Sequence, residues 1–322
     1  MSTEQQPRGD QTRHDSSDAG AAPASPADPK RRAVRTILRN RGGLFGTAII
    51  ALVVGVAAFA AVDNFLLDRA VISALYHDPR ALDATARLSG PSAAHPLGTD
   101  NLGRDVLSRI VYGTRVSLQV GLLAVSISVV VGTAFGIVAG YFGGVVDDAI
   151  MRFVDVLLAF PGIILAIAVA GALGPSIRNV IIALAIQGWV TYARLIRGEV
   201  LSVREREYVK AARSIGASDR QIIVGDILPN TIYPVIVQAT LSLGGIIIAE
   251  AGLSFLGLGP QPPTASWGMM LSTGRSYIQS AWWLSLFPGV AIFITVMGFN
   301  LFGDVLRDVL DPRESTSQGG SM

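Results

Sequence analysis

The chain has 322 residues, 50% of them hydrophobic and only 16% charged, and its mean hydropathy of +0.48 is too high for an ordinary water-soluble globule. A formal net charge of +2 carried almost wholly by arginine offers no uniformly basic face, which excludes nucleic acid as the partner. With no cysteine there is no disulfide and no thiolate metal site, and His14, His77 and His95 stand at no ligand spacing, so no metal site is expected.

Residues 1–29 are rich in Ser, Ala, Pro, Gln and Asp. They carry too little large apolar surface to offset the entropy of ordering and are expected to be disordered. The basic run Lys30, Arg31, Arg32, Arg35, Arg39 and Arg41 leads into an apolar stretch from Gly43 to Val62, about the 20 residues that cross a bilayer. It begins too late and runs too long for a cleaved signal peptide.

Five further apolar stretches, 116–141, 153–173, 180–196, 232–253 and 283–302, predict an all-α integral membrane protein with six spans. Both termini then share one side. Placing them in the cytoplasm puts most of the 26 Lys and Arg residues there, as the positive-inside rule requires. The chain divides into a disordered basic tail (1–42), a first span with its extracytoplasmic segment (43–115), a five-span core (116–305) and a cytoplasmic C-terminal tail (306–322). The fourth span is the shortest and ends in Arg194 and Arg197.

Within the spans, Gly132, Gly136, Gly140 and Gly144 make a small-residue face for another helix, in this subunit or across a subunit boundary. Pro161 and Pro288 are expected to kink the third and sixth spans. Glu250, near the outer end of the fifth, is an intramembrane carboxylate and so a translocation-pathway candidate. Bonding within its own Glu-Ala-Gly-Leu-Ser turn explains it equally well. Asp155 and Asp304 read as interfacial anchors.

The loop between spans four and five carries two helix-start patterns, Ser202 three before Glu205 and Ser218 three before Gln221, each a capping box. These predict one short helix over 203–214 that stops at Gly216, and a second that runs to Leu228 before Pro229. Tyr208, Ala211, Ala212 and Ile215 recur at three- and four-residue spacing and make an apolar stripe on the first helix. Between spans one and two, the stretch from His95 to Arg109 reads as a loop feeding a helix, with Thr99 or Asp100 as its cap. His95, alone beside Pro96, reads as structural.

The run Tyr208-Val209-Lys210-Ala211-Ala212-Arg213-Ser214-Ile215-Gly216-Ala217-Ser218-Asp219, closing with Ile227-Leu228-Pro229-Asn230, resembles the EAA loop of ABC-importer permeases. The string from His95 to Arg109, with Phe255-Leu256-Gly257-Leu258-Gly259, Ser266-Trp267-Gly268 and the closing Leu306-Arg307-Asp308 to Asp311-Pro312-Arg313, resembles the C-type permeases of dipeptide, oligopeptide and nickel importers. The likeness covers nearly all of residues 35–313. It departs at Lys210, where that family usually has Glu, and at Asp226, where peptide-type members often have His.

The resemblance implies that the loop forms coupling helices seated in a cleft of an ATP-hydrolysing subunit, with Tyr208, Lys210, Ala211, Ala212, Ser214, Gly216 and Pro229 as the coupling residues. It also implies a second homologous permease, two ATP-binding cassette subunits and an extracytoplasmic solute-binding protein, with ATP and Mg handled by the cassette subunits. The chain has no Gly-x-x-x-x-Gly-Lys loop of its own. It also has no His-Glu-x-x-His, no Gly-x-Ser-x-Gly elbow and no paired intramembrane acids, so no catalytic role is expected. Peptides are the expected cargo, nickel or another small solute the rival, and an ATP-independent channel or scaffold the alternative from another class.

Overall fold

The computed structural model describes residues 40–310; the expected disordered tail and nearly all of the basic run lie outside them. Helices dominate. The elements are α1 (Arg41–Phe65), α2 (Ala70–Leu75), α3 (Val106–Phe142), α4 (Gly144–Leu158), α5 (Gly162–Leu173), α6 (Ile177–Arg204), α7 (Glu207–Ser214), α8 (Asp219–Ile222), α9 (Leu228–Phe255), α10 (Trp267–Arg275) and α11 (Trp283–Leu310). Among the described residues, five helices are long and apolar enough to cross a membrane: α1, α3, α6, the run from α8 through α9, and α11. The pair α4 and α5 meets that standard only when taken together, and it is bent by 87°.

Several expected boundaries move, each for a local reason. The second apolar stretch begins at Val106, ten residues earlier than its hydropathy suggests, because Asp105 caps α3 by accepting from Ser108 N at 2.8 Å. Thr99 and Asp100 serve the preceding turn instead, where Asp100 accepts from Leu102 N at 2.8 Å and Arg104 N at 3.0 Å. The third stretch is broken rather than kinked: Pro161 has no N–H to donate and sits just outside the start of α5. The fourth is not short, since α6 runs 28 residues and is the most buried of the long helices. Its cations are satisfied by neighbours. Arg194 pairs with Asp155, Arg197 bonds Asp147 through both carboxylate oxygens, and Arg204 donates to Gly140 O at 2.7 Å.

Helix α3 packs on α6 along the glycine face. A Cβ at Gly136 would lie 2.7 Å from Ala193 O, and one at Gly140 would lie 2.8 Å from Val200 Cβ, so the backbones meet at a separation only glycine permits. The partner is therefore a helix of the same subunit. Gly144 is not on that face: it has φ +56°, a Cβ there would meet nothing within 4 Å among the described residues, and it opens α4. Contacts advance together along both chains, Gly132 with Tyr192, Gly136 with Ile196 and Gly140 with Val200, so α3 and α6 run parallel. By the same test α1 is antiparallel to α11, with Gly46 against Leu301 and Gly298 against Ile49, and α9 is antiparallel to α11, with Gly244 against Val296 and Gly303 against Leu241.

These directions sort the molecule into two ends. The start of α1 and the ends of α3, α6 and α11 share one end with α7 and α8. The start of α3, the end of α9, α10 and the segment 66–105 share the other. That second end is closed by its own side chains: Trp267 donates through Nε1 to Ile110 O at 3.1 Å, and Trp283 to Thr99 O at 3.1 Å. Buried Asp63 at the far end of α1 accepts from Val71 N, Ile72 N and Tyr112 OH, which ties α2 to α1 and α3.

Candidate functional site

The connection between α6 and α9 is a compact hook. Helix α6 carries on through Ser202 to Arg204, so the first expected capping box is not formed: Ser202 lies inside a helix, and Glu205 pairs with Lys210 at 3.0 Å instead. The reason is Val203, 1% exposed, whose burial draws the last turn of α6 onto the bundle. Helix α7 then starts at Glu207 and ends in a Schellman motif. Gly216 takes φ +86°, Ala217 N donates to Ala212 O at 3.1 Å and Gly216 N to Arg213 O at 3.1 Å, the two bonds that satisfy the last carbonyls of a helix. The second capping box is complete: Ser218 N donates to Gln221 Oε1 at 2.9 Å and Gln221 N to Ser218 Oγ at 3.4 Å.

The second arm does not end at Pro229. A π turn over Ile223–Ile227 leads directly into α9, with Leu228 N bonding Ile223 O. Pro229 falls in the first turn of α9, where its missing N–H and its ring are accommodated by the widened turn before it. The run from Asp219 to Phe255 is thus one continuous 37-residue helix, a lever reaching from the hook across the bundle.

The hook has two faces. Val209 (1% exposed), Ile222 and Ile227 (both 0%) pack with Tyr192, Ile196, Val200, Val203 and Val235 into a buried cluster. Tyr141, at the end of α3, braces it from the side: its hydroxyl donates to Asp219 Oδ1 at 2.6 Å, and the Arg213 guanidinium lies 5.5 Å from its ring centre. On the other face Tyr208 (40% exposed), Ala211 and Ile215 (86%) are open, while Ala212 is half-buried at the edge. Lys210 and Ser214 are exposed; Ser214 Oγ returns a bond to Lys210 O at 2.9 Å, and hydrogen bonding to Lys210 holds the Glu205 carboxyl below its usual range. Of the candidate residues, the fold brings Tyr208 and Ala211 onto one exposed face with Ile215. It places Gly216 at the hinge and Pro229 at the base of the second arm. Sequence reading passed over Val209, Ile222 and Ile227 as anchors, although their spacing opposite the exposed stripe marks them.

A cavity of about 590 Å³ opens beside the hook, between α6, α9 and α11, and Glu199, Asn230, Tyr233, Gln238 and Arg307 are among its lining residues. Glu250 is elsewhere. It is fully buried, accepting from Ser254 Oγ at 2.7 Å within its own turn and from Ser117 Oγ of α3 at 3.0 Å.

At the opposite end, His95 is not alone. Its Nδ1 lies 2.9 Å from Asp105 Oδ2, and the His77 ring centre is 4.5 Å from its own, although the two histidines are 18 positions apart in sequence.

The model of the binding-protein-dependent transport system inner membrane component matches residues 132–316, which contain the α3–α6 glycine contact, the hook and the lever. The dipeptide transport system permease protein DppC of Alkalihalophilus pseudofirmus is 46% identical over 285 residues, 88% of this chain and 90% of that protein. The probable D,D-dipeptide transport system permease protein DdpC of Escherichia coli K12 is 48% identical over 242 residues, 75% of this chain and 81% of that one. The glutathione transport system permease protein GsiD of Pectobacterium atrosepticum is 42% identical over 285 residues, 88% and 91% of the two chains. A chain of the inward-facing MetNI methionine ABC transporter superposes with a TM-score of 0.51 at 19% identity, over 63% of this chain and 97% of that chain, a likeness of fold. With the family match spanning more than half of the residues and these identities running the length of both chains, the protein belongs to the binding-protein-dependent transport system inner membrane components, a family of multi-pass membrane permeases.

Proposed function

We propose that the chain is a non-catalytic, six-span permease subunit of a peptide importer, and that its hook is the coupling element through which ATPase subunits drive it. The observation that carries this reading is the division of the hook: Val209 and Ile222 are locked into the bundle, while Tyr208, Ala211 and Ile215 present an apolar face that none of the described residues covers. A rigid lever with an open apolar tip is the shape that a groove on a second protein accepts. Six crossings are supported by the parallel run of α3 and α6, since a chain leaving one end of α3 and entering the other end of α6 must cross between them through α4 and α5.

On this reading the hook and both termini lie in the cytoplasm, in keeping with the bases around Arg204–Arg220. Two ATP-binding cassette subunits grip the hooks of this chain and of a second homologous permease, and they, not this chain, hold the ATP and Mg. An extracytoplasmic solute-binding protein delivers cargo to the opposite end. The cavity beside α9 is then the inner mouth of the pathway, and Glu250 a pin joining α3 to α9 rather than a pathway ligand. Peptides are the cargo we favour over nickel or another small solute, because the relatives that match over most of their length are named for dipeptide and glutathione transport.

Detergent-solubilised protein should recover an ATPase from its own membranes, and the double variant Ala211→Glu/Ile215→Glu, inserted at normal level, should not. Undiminished recovery by that variant overturns the docking. Mass analysis of what co-purifies with the cognate binding protein tests the cargo, and a metal or other non-peptide solute found there in place of peptide overturns that part alone.

A further inference from the structure

The end of the molecule opposite the hook carries an arrangement that the coupling reading does not draw on. His77, in the loop after α2, His95, in the turn before α3, and Asp105, the N-cap of α3, each offer one ligand atom, and the three atoms lie within 4.8 Å of one another. Among the described residues this is the one group of three such side chains so placed. Liganding atoms about 3.4 Å apart surround an ion bound at the usual zinc–nitrogen and zinc–oxygen distances. His95 Nδ1 and Asp105 Oδ2, at 2.9 Å, are already near that spacing, and His77 completes the set by a small movement of its loop.

The surroundings match what a metal site requires. Asp105 is 0% exposed and His95 16%, so neither ligand spends its lone pairs on bulk water. Asp105 Oδ1 is held by Ser108 N at 2.8 Å, which fixes the carboxylate and leaves Oδ2 turned toward His95. His77 Nε2 lies 3.1 Å from Ala94 O, the kind of carbonyl contact that orients a liganding imidazole. Asp83, whose carboxyl is held below its usual range chiefly by hydrogen bonds from Thr85 and least by His95, adds negative potential.

We propose that His77, His95 and Asp105 form a binding site for a divalent transition-metal ion, zinc or nickel in class. The ion takes the place of the direct contact between His95 Nδ1 and Asp105 Oδ2 and joins the loop after α2 to the N-terminus of α3. Two imidazoles and one carboxylate select such ions over magnesium and calcium, which take oxygen ligands. The ion is a resident clip: the ligands sit in the packed cap made by α2 and the turn before α3, away from the cavity beside the hook. Clipping this cap steadies the start of the helix that reaches the hook at its other end.

The full-length chain, purified in detergent without a histidine tag and washed with chelator, tests the site without any ATPase or binding protein, so its failure leaves the transport reading untouched. Equilibrated with Zn²⁺, it should retain about one equivalent and melt several degrees higher, while Mg²⁺ and Ca²⁺ leave the melting point unchanged. His77→Ala should weaken retention at least tenfold while leaving the metal-free melting point in place, because among the described residues that ring has one hydrogen-bond contact, to Ala94 O, and packs on the rings of Tyr76 and His95. Asp105→Asn, which can keep the cap on Ser108, should weaken it as well. Retention below a fifth of an equivalent overturns the site, and so does retention undiminished by His77→Ala, which would locate the ion elsewhere.

Discussion

At the end of the bundle where α3 begins, Thr99, Asp105 and Trp267 are buried and bonded within the chain, whereas at the other end Tyr208, Ala211 and Ile215 stand open to solvent. Both segments are rich in motif residues, yet one has folded those residues into the chain and the other has left an apolar stripe uncovered. Contrast of this kind separates motifs that build a fold from motifs that await a partner. An exposed Ile215 on an otherwise charged helix has a cost in water that a docked surface removes.

The contrast can be broken from the inside first. Gly136→Leu puts a side chain where even a Cβ would lie 2.7 Å from Ala193 O; overpacking of this kind costs about 1–3 kcal/mol or more, and we expect loss of the monodisperse folded protein on size-exclusion of solubilised membranes. Ile222→Ala opens a hole in the cluster that fixes the hook, at about 2–5 kcal/mol. Its expected signature is faster proteolysis at residues 205–222 with the bundle intact.

Gly216→Val sharpens the comparison from the open side. No atom of the described residues that could clash lies within 4 Å of the new Cβ, so packing is untouched, but a left-handed L-residue costs about 1–2 kcal/mol and a β-branched one more. Insertion should be normal while transport in proteoliposomes falls at least tenfold, and Gly216→Asn, which tolerates that conformation, should recover part of it. A wild-type rate in the valine variant would mean that the hook's shape does not matter.

Glu250→Gln should leave transport within about twofold, since the amide oxygen can accept from one serine and the amide NH2 can donate to the hydroxyl oxygen of the other, and losing one neutral bond costs about 1 kcal/mol; a larger fall would return Glu250 to the pathway. Smallest of all is the pair Glu205 and Lys210. With the Glu205 carboxyl held below its ordinary range by Lys210, the contribution of the pair is present above that ordinary range and fades as pH falls through the lowered value. The pair is exposed, so Lys210→Gln should shift the melting temperature by less than a degree at pH 7 and at pH 3.

Much of this was legible in the residues. Apolar stretches of about 20 residues can do little but cross a bilayer, the Ser218–Gln221 box and Gly216 specify a cap and a left-handed turn by local chemistry alone, and a glycine every fourth residue requires a close helix. Where the reading failed, the deciding partner was distant in sequence. Arg194, Arg197 and Arg204 mark the end of an apolar stretch by hydropathy, yet α6 continues because Asp155, Asp147 and Gly140 O on other helices receive them. Ser202 has a capping pattern, yet the burial of Val203 keeps it inside a helix. Nor does anything near Pro229 reveal that a π turn will carry the chain through it.

Hydropathy, caps and glycine spacing are properties of a few consecutive residues, so the sequence alone determined a helical membrane protein with a short, glycine-hinged connection. Which helix meets the glycine face, which side of the hook stays open, and that His77, His95 and Asp105 meet are outcomes of packing between segments ten to sixty residues apart. Such contacts exist only once the chain has closed its loops, and for that reason only the tertiary structure decided them.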